Sequence, residues 1–512
     1  MMNGEENIYS HFQIDLEIEK KVINELKKFN SKFINEKIDD NIIIKDILEK
    51  NYQYMKEKLD ELIKSVSNKF ILEKLCEEYY KTVLVKGRNK DEVYKNFYGD
   101  NYEYRRQFYR RDLKYIIENI CLNEPDNNMI QINNKTFTEI IVLAEELLKV
   151  CGDLDMLNIF PKNSILILNH NKSYQQGADF YFLKTPCTII DDIDSKFFDD
   201  KDLNYKKNCP KVFNEDIENI CLNFFKDIYG VSFKELKNLF CEYVKERKEF
   251  SCFEKKDFLN VLYNQLGLEK NSGEIFINKF LLDKTSYKKD IFNSKRNNRL
   301  YKRFFFIYQE KIYFIPTMAL ENLEIIKQSF YFNSSPFFSI SNSEKSNLTG
   351  ISNQVGKSFE NLTKNVLESF GLQVFQNIKK YSFNGKIIQL NSNGGEIDLI
   401  AFDLKRKICY FLECKMLNFS TEPRYYLEDY NKFFEKKKGY YYKFNKKIDF
   451  FIKNQKEIIN YLIERQNINF SIEYKFITFY PCVCKYVLKN YKDNIYNIEL
   501  LTLYDLKKYL QK

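Results

Sequence analysis

Apolar residues at helical spacing dominate the first part of the chain. The segments Glu17–Phe29 and Tyr54–Tyr80 carry stripes of Leu and Ile beside faces of Lys and Glu, which is the pattern of helices packed on a core. Pro125 interrupts this pattern, and a proline inside a helical pattern usually ends the helix. We therefore predict a helical domain over residues 1–124.

The pattern becomes mixed after this break and predicts a second, mainly helical domain over residues 125–294. Two short apolar runs, Ser164–Leu168 and Phe180–Phe182, have the length and composition of strands. Three amphipathic stretches then predict helices at Glu215–Ile228, Phe233–Lys248 and Lys256–Leu266.

A small unit is predicted over residues 295–349. Two apolar runs, Phe304–Tyr308 and Ile312–Ile315, flank a Gln-Glu-Lys turn and predict a β-hairpin. A helix is expected after it, near Leu320–Ser329. The stretch Ser334–Gly350 is rich in Ser and Asn, which is typical of a linker.

Residues 350–512 alternate helical and strand patterns, which predicts an α/β domain. A helix opens near Gly356, and two strand-like runs within residues 394–415 flank a charged turn at Asp403–Lys407. The remaining segments predict two helices and two strands, in the order Glu428–Lys438, Ile448–Ile463, Ile472–Tyr480 and Tyr496–Leu503.

Charged residues lie within the two strand-like runs. Asp398 is near the start of the first run, and Glu413 and Lys415 close the second. Across the predicted turn Asp398 falls opposite Leu412 or Glu413, and such neighbours lie about 5 Å apart, so two carboxylates can share a divalent cation. Lys415 points to the same face as Glu413. The alternative is an exposed ion pair at a hairpin end. Glu396 shares a face with Asp398 and either supports the site or is solvated.

This arrangement resembles the signature of the PD-(D/E)xK nuclease superfamily, an Asp followed after a spacer by Glu-x-Lys. Asp398 matches the aspartate, Glu413 and Lys415 match the Glu-x-Lys, and Ile397 stands where the family often has proline. Many members carry a further glutamate on the preceding helix. Glu360 is the match here, the alternative being an ordinary glutamate on a helix surface.

The resemblance implies a restriction-endonuclease-like α/β fold for the C-terminal domain, with a mixed central sheet flanked by helices, after a large, mainly helical N-terminal region. It implies Asp398, Glu413 and Lys415 as catalytic residues, and Glu360, Asp398 and Glu413 as ligands of Mg²⁺ or Mn²⁺. Such a metal lowers the pKa of a water and stabilises charge on the phosphate, while the lysine orients the water or neutralises the phosphate.

The charge of the chain permits a nucleic-acid partner without requiring one. Lys and Arg outnumber Asp and Glu by 81 to 72, and the net charge is +9 with the two signs well mixed. Two basic clusters are candidate nucleic-acid contacts. Their members are Arg105, Arg106, Arg110 and Arg111 in the first domain, and Lys432 and Lys436 after the hairpin. The alternatives are arginines paired with nearby glutamates and lysines on a solvated helix face.

Several other classes of protein are disfavoured. Twelve cysteines without a CxxC pair and only two histidines argue against a zinc site. The first residues lack the features of a signal peptide, and no apolar run approaches the length of a membrane span, so a cytoplasmic protein is expected. The run from Gly350 to Ser358 resembles a P-loop but has one residue too many and no preceding strand, so no nucleoside triphosphate is expected.

These observations favour a magnesium-dependent nuclease that cuts DNA. Its helical N-terminal half is expected to recognise a substrate, a protein partner, a trigger or a second copy of the chain. By analogy, a nuclease fused to a large helical region suggests restriction or anti-phage defence. Two alternatives stay open, a nucleic-acid-binding protein with an inactive nuclease-like domain and a helical scaffold protein.

Overall fold

A computed structural model of the chain shows two compact units. The first comprises residues 1–185 and 219–348, and the second comprises residues 186–218 and 349–512. The structure describes residues 16–33, 36–66, 68–82, 102–122, 133–160, 164–168, 180–185, 215–246, 248–282, 300, 303–331, 341–383, 386–390, 395–415, 431–435, 438–462, 473–480, 498–502 and 509–510. This part of the chain is mostly helical, and none of its helices is both long and apolar enough to cross a membrane.

The first unit is built mainly from helices, as the sequence predicts. They are α1 (Leu16–Phe29), α2 (Asn41–Ser65), α3 (Asn68–Lys81), α4 (Tyr102–Leu122), α5 (Asn134–Ile159), α6 (Glu215–Tyr229, in this unit from residue 219 onward), α7 (Phe233–Lys245), α8 (Lys255–Leu266), α9 (Lys270–Phe280) and α10 (Pro316–Tyr331). Helix α2 buries one stripe, which includes Met55, Leu59 and Ile63, whereas residues 112–121 of α4 and residues 140–144 of α5 are buried on all sides.

Two small sheets complete this unit. One contains three antiparallel strands, β1 (Lys37–Ile38), β2 (Ile165–Leu168) and β3 (Tyr181–Lys184). The other contains, in spatial order, β4 (Ser251–Glu254), β7 (Lys311–Phe314), β6 (Phe305–Tyr308) and β5 (Leu281–Leu282). The strands predicted near residues 164–168 and 180–182 and the hairpin predicted over residues 304–315 are therefore confirmed.

One apolar core joins segments that the sequence divides among three domains. It contains Leu113 of α4, Leu143 of α5 and Phe306 of β6. The predicted boundaries at residues 124 and 294 therefore lie inside the first unit. Periodicity shows which face of each helix is buried, but it does not show which helices share a core. The predicted boundary at residue 349 lies next to the one between the two units.

The segment Tyr54–Tyr80, predicted as one helix, is divided between two. Helix α2 ends at Ser65, and Val66 has an extended conformation before α3 begins at Asn68. The apolar stripe continues through the break because Val66 is itself buried. Periodicity alone therefore did not reveal the interruption.

The linker predicted over Ser334–Gly350 is helical from residue 342 onward. It forms the start of α11 (Asn342–Ser369). The Ser341 hydroxyl accepts a hydrogen bond from the Glu344 backbone N–H, and the Glu344 carboxylate accepts one from the Ser341 N–H. This reciprocal pair is a capping box, so the Ser/Asn-rich composition here marks a helix start and not a linker.

A five-stranded mixed sheet forms the centre of the second unit. Its strands, in spatial order, are β14 (Glu499–Thr502), β13 (Glu473–Tyr480), β12 (Ile408–Cys414), β11 (Ile397–Asp403) and β8 (Gln373–Ile378). Strand β11 is antiparallel to both β8 and β12, whereas β13 is parallel to β12 and β14. The mixed sheet and its last two strands were predicted correctly.

Helices lie on both faces of this sheet. On one face Phe411 contacts Phe444 and Phe451 of α12 (Tyr440–Lys453). Cys414 lies three residues after Phe411, so its side chain points to the opposite face, where it lies next to Thr363 of α11. An α/β arrangement with flanking helices is therefore present in this unit.

The predicted helix Ile448–Ile463 starts earlier and is divided. Helix α12 begins at Tyr440, and Asn454 separates it from α13 (Gln455–Leu462). The Asn454 amide donates to the Phe450 carbonyl, which ends α12. Of the helix predicted over residues 428–438, residues 431–434 are helical, and the others that the structure describes are not.

Candidate active site

Asp398 and Glu413 lie beside each other on neighbouring strands. The register pairs Leu399 of β11 with Leu412 of β12, which places Asp398 across from Glu413. Both residues are buried, with 9% and 4% of their surfaces exposed, among apolar residues of the two strands. A buried carboxylate costs several kcal/mol unless charged or hydrogen-bonding partners compensate it, so the partners of this pair define the site.

Two lysines compensate the pair. Lys415 Nζ lies 2.5 Å from Glu413 Oε1 and 3.7 Å from Asp398 Oδ2. Lys447 Nζ lies 2.9 and 2.8 Å from the two carboxylate oxygens of Glu413, and 3.9 Å from Asp398 Oδ1. The backbone N–H of Cys414 donates to Asp398 Oδ2 at 2.8 Å. Two carboxylates and two ammonium groups thus form one cluster, and the Asp398, Glu413 and Lys415 expected from the sequence lie together in it.

Lys447 was absent from the sequence prediction. Phe444, Ile448 and Phe451 form the buried stripe of α12, and Lys447 lies beside that stripe with a side chain only 11% exposed. A lysine next to an apolar helix face was the signal in the sequence. It was missed because the predicted helix began one residue later, at Ile448.

The surroundings separate the proton affinities of the two carboxylates. Burial and the charge of Glu413 raise the pKa of Asp398 to about 6, against the effect of the lysines and the Cys414 N–H. Burial also raises the pKa of Glu413, but Lys415 and Lys447 outweigh it and hold that pKa below its ordinary value. Burial lowers the pKa of Lys415, but the charges of Glu413 and Asp398 raise it by more than burial lowers it. The net shift of this pKa is upward, so the lysine stays charged.

Glu360 lies on α11 close to a second carboxylate, that of Glu396. With its amide nitrogen turned toward both, Asn377 donates to Glu360 Oε2 and Glu396 Oε1 at 3.1 Å each. Burial, followed by the charges of Asp398 and Glu396, raises the pKa of Glu360 to about 7. Glu360 is thus electrostatically coupled to Asp398. Its nearest polar neighbours are Asn377 and Gln376, and neither lysine of the cluster forms an ion pair with it among the contacts described.

Asn377 has an unusual backbone conformation. Its φ of 55° is in the left-handed region, which few residues other than glycine adopt without strain. It lies on β8 opposite Asp398, between the pairs that Ile378 and Gln376 make with β11. Asparagine tolerates this region better than most residues, and backbone outliers of this kind are concentrated at functional sites.

We expect Asn377→Ala to be less stable than Asn377→Gly by about 1 kcal/mol, because only glycine adopts a positive φ without a Cβ penalty. Both variants lose the amide, so the difference in the free energy of chemical unfolding reports the backbone alone. Lys407 has a φ of 57° in the β11–β12 turn, away from the carboxylates. Its Ala and Gly variants are the positive control, because they measure the same backbone effect outside the site. Equal stability of the two Asn377 variants would show that a Cβ atom carries no penalty at this backbone position.

The donor set fits a hard divalent cation with two protein ligands. Within the ranges that the structure describes, no group of three or more His, Cys, Asp and Glu side chains is arranged to hold a metal. Mg²⁺ needs fewer protein ligands, because it keeps several waters and usually takes one or two carboxylates. Asp398 and Glu413 supply that number. The assignment of Glu360 as a third ligand stays a prediction.

Two of the arginines considered for nucleic-acid binding have partners within the first unit. Arg110 donates to the hydroxyl and the carbonyl of Thr82 at 3.0 and 3.1 Å, and lies 4.0 Å from Glu321. Arg111 lies 3.5 Å from Asp112. These contacts match the alternative in which the arginines pair with acidic residues and support the fold.

The other basic candidates are described less fully. Arg105 and Arg106 lie on α4, but their side chains are outside the described part of the structure. Lys432 is exposed in the short helical stretch at residues 431–434, and Lys436 lies outside the described residues. Contact of these four residues with nucleic acid stays a prediction.

No family model matches this chain, and no curated protein or solved structure matches it either. Its function is therefore inferred from the geometry and chemistry of the Asp398–Glu413 cluster.

Proposed function

We propose that the second unit hydrolyses phosphodiester bonds of nucleic acid, DNA above all, with Mg²⁺ or Mn²⁺ as cofactor. The main support is the buried pair of Asp398 and Glu413 on adjacent strands, with Lys415 next to both. Replacing a buried ion pair by apolar residues is often neutral or stabilising, so stability alone is a weak reason to keep such a cluster. Carboxylates whose pKa values are shifted by burial and by neighbouring charges are typical of functional sites.

Each residue of the cluster has a role in this proposal. Asp398 and Glu413 hold the cation, and the Cys414 N–H keeps the Asp398 carboxylate oriented. When bound, the cation lowers the pKa of a water and offsets the charge that develops on the phosphate. Lys415 has no lone pair when charged and is not a ligand, so it donates to the attacking water or to a phosphate oxygen.

In this proposal the first unit recognises a nucleic acid, a protein partner or a second copy of the chain. By analogy with nucleases fused to large helical regions, we place the activity in restriction or anti-phage defence. This placement has only analogy as its support, whereas the hydrolytic activity is supported by the site.

A panel of substrates tests the proposed function. The purified full chain is incubated with circular plasmid, linear duplex DNA, single-stranded DNA and RNA, in Mg²⁺, in Mn²⁺ and in EDTA. We expect cleavage of DNA in either metal and none in EDTA. Cleavage of RNA alone would show that RNA and not DNA is the substrate. Cleavage of no polymer in either metal would reject the proposed hydrolase and favour a binding protein.

Lys447 gives a further prediction, because its ammonium lies where a cation would compensate Glu413. Lys447→Met should bind Mn²⁺ more tightly than the wild type. Without metal its free energy of unfolding should fall by about 1–3 kcal/mol, since Glu413 loses a charged partner. Added Mn²⁺ should therefore raise the melting temperature of this variant more than that of the wild type.

The matched control is Lys443→Met, which changes an exposed lysine on the same helix. It should leave both the melting temperature and its response to Mn²⁺ unchanged. If Lys447→Met also leaves both unchanged, the ammonium does not compete with a cation for Glu413.

A further inference from the structure

Strands β9 (Lys380–Phe383) and β10 (Lys386–Gln389) form a two-stranded antiparallel ribbon separate from the central sheet. In the chain the ribbon lies between β8 and β11, the strands that carry Asn377 and Asp398. At its base the Leu390 N–H donates to the Lys379 carbonyl at 2.8 Å. The ribbon is thus a hairpin extension of the sheet at the end where the carboxylates lie.

One face of the ribbon is packed against its own unit. Tyr381 is buried and pairs across the ribbon with Ile388. The Tyr381 hydroxyl donates to Asn454 at 3.1 Å, and its ring lies against that of Phe450. This face therefore fixes the ribbon on helices α12 and α13.

The opposite face is exposed and has a distinctive composition. Strand alternation places Lys380 and Ser382 on it, together with their cross-strand partners Gln389 and Ile387. All four residues are exposed, and Ile387 exposes 62% of its surface. The face thus presents an ammonium group, a hydroxyl, an amide and one branched apolar side chain.

Charge also favours an anionic partner at this position. Residues 379–390 contain three lysines and no acidic residue. Lys379 at the base lies 3.5 Å from Glu396, which is two residues from Asp398. The base of the ribbon is therefore next to the carboxylates.

We propose that this ribbon enters the major groove of duplex DNA and positions the duplex over the Asp398–Glu413 cluster. The major groove is about 12 Å wide and admits a two-stranded ribbon, so the exposed face can lie toward the bases while the other face stays packed on its own helices. Lysine and glutamine side chains hydrogen-bond base edges there, and an apolar side chain contacts the thymine methyl. This inference rests on the proposed function, since it names duplex DNA as the substrate.

The test measures binding without cleavage. A labelled duplex and a single strand of the same sequence are titrated with the full chain in EDTA, and fluorescence anisotropy gives the Kd. The wild type should prefer the duplex. Lys380→Ser combined with Ile387→Ser should weaken duplex binding by about tenfold or more, because it removes a charged and an apolar contact.

The matched control is Leu404→Ser combined with Lys405→Ser, which removes one exposed apolar and one exposed basic residue at the other end of β11. It should bind duplex DNA as the wild type does. Ser382→Lys should bind more tightly, with a salt dependence of log K steeper by about 0.9, because it adds one phosphate contact. Improved binding cannot result from a misfolded protein.

Three results would overturn the proposal: no preference of the wild type for duplex, equal loss in the control, or unchanged binding in the Ser382→Lys variant. Binding in EDTA is independent of catalysis. If the ribbon variants change DNA binding but the wild type cleaves no DNA, only the proposed hydrolase is rejected. If the wild type cleaves DNA but the ribbon variants bind it as the wild type does, only the proposed role of the ribbon is rejected.

Discussion

Asp398→Asn should abolish cleavage and leave the protein folded. The amide removes a charged metal ligand, so cleavage should fall on the order of a thousandfold and Mn²⁺ affinity by at least about tenfold. The Asn oxygen still accepts the hydrogen bond from the Cys414 N–H, and the crowding with Glu413 is relieved. Cleavage of a supercoiled plasmid and calorimetric titration of Mn²⁺ measure the two losses, and thermal unfolding checks the fold.

Asp403→Asn is the matched control, because it makes the same change at the other end of β11. Asp403 Oδ1 accepts hydrogen bonds from the backbone N–H groups of Lys405 and Arg406, and an asparagine oxygen can accept them as well. This variant should cleave and bind Mn²⁺ as the wild type does. A fully active Asp398→Asn protein would show that the assigned site is not where catalysis occurs.

Lys415→Ala should lose most of the activity and keep the cation. Lys415 donates to Glu413 and reaches toward Asp398, but it has no lone pair for a metal. Its loss should lower kcat by about 100- to 1000-fold. Mn²⁺ affinity should hold or rise slightly, because a positive charge next to both ligands has gone. Single-turnover cleavage and calorimetry on the same preparation separate the two effects.

Lys364→Ala controls for the loss of a lysine elsewhere in the same unit, since this residue pairs with Glu368 on α11. It should affect neither quantity. Loss of Mn²⁺ binding in a folded Lys415→Ala protein would make Lys415 a structural partner of the carboxylates. Full activity of that variant would favour the ion pair that the sequence left as the alternative.

The hairpin and its charged residues could be predicted because the relevant information is local. Strand alternation and the position of the turn predict that Asp398 lies opposite Leu412 or Glu413, and the register of β11 and β12 selects Glu413. The hairpin of β6 and β7 was predictable for the same reason.

The rest of the site depends on contacts between distant segments. Lys447 reaches Glu413 from 34 residues away, and no local pattern specifies that distance. Asn377 opposes Asp398 only because β8 pairs with β11, and its positive φ has no signature in the sequence. The shared core of the first unit was hidden in the same way, since periodicity identifies a buried face but not its partner.

Mg²⁺-dependent cleavage of plasmid DNA by the full chain, measured beside Asp398→Asn protein purified in the same way, tests the central claim most directly. A contaminating nuclease would accompany both preparations, so only a difference between them counts. We predict nicking or linearisation by the wild type in Mg²⁺, none in EDTA, and none by the variant in either condition. Equal cleavage by the two proteins, or none by the wild type in Mg²⁺ and in Mn²⁺, would contradict the account.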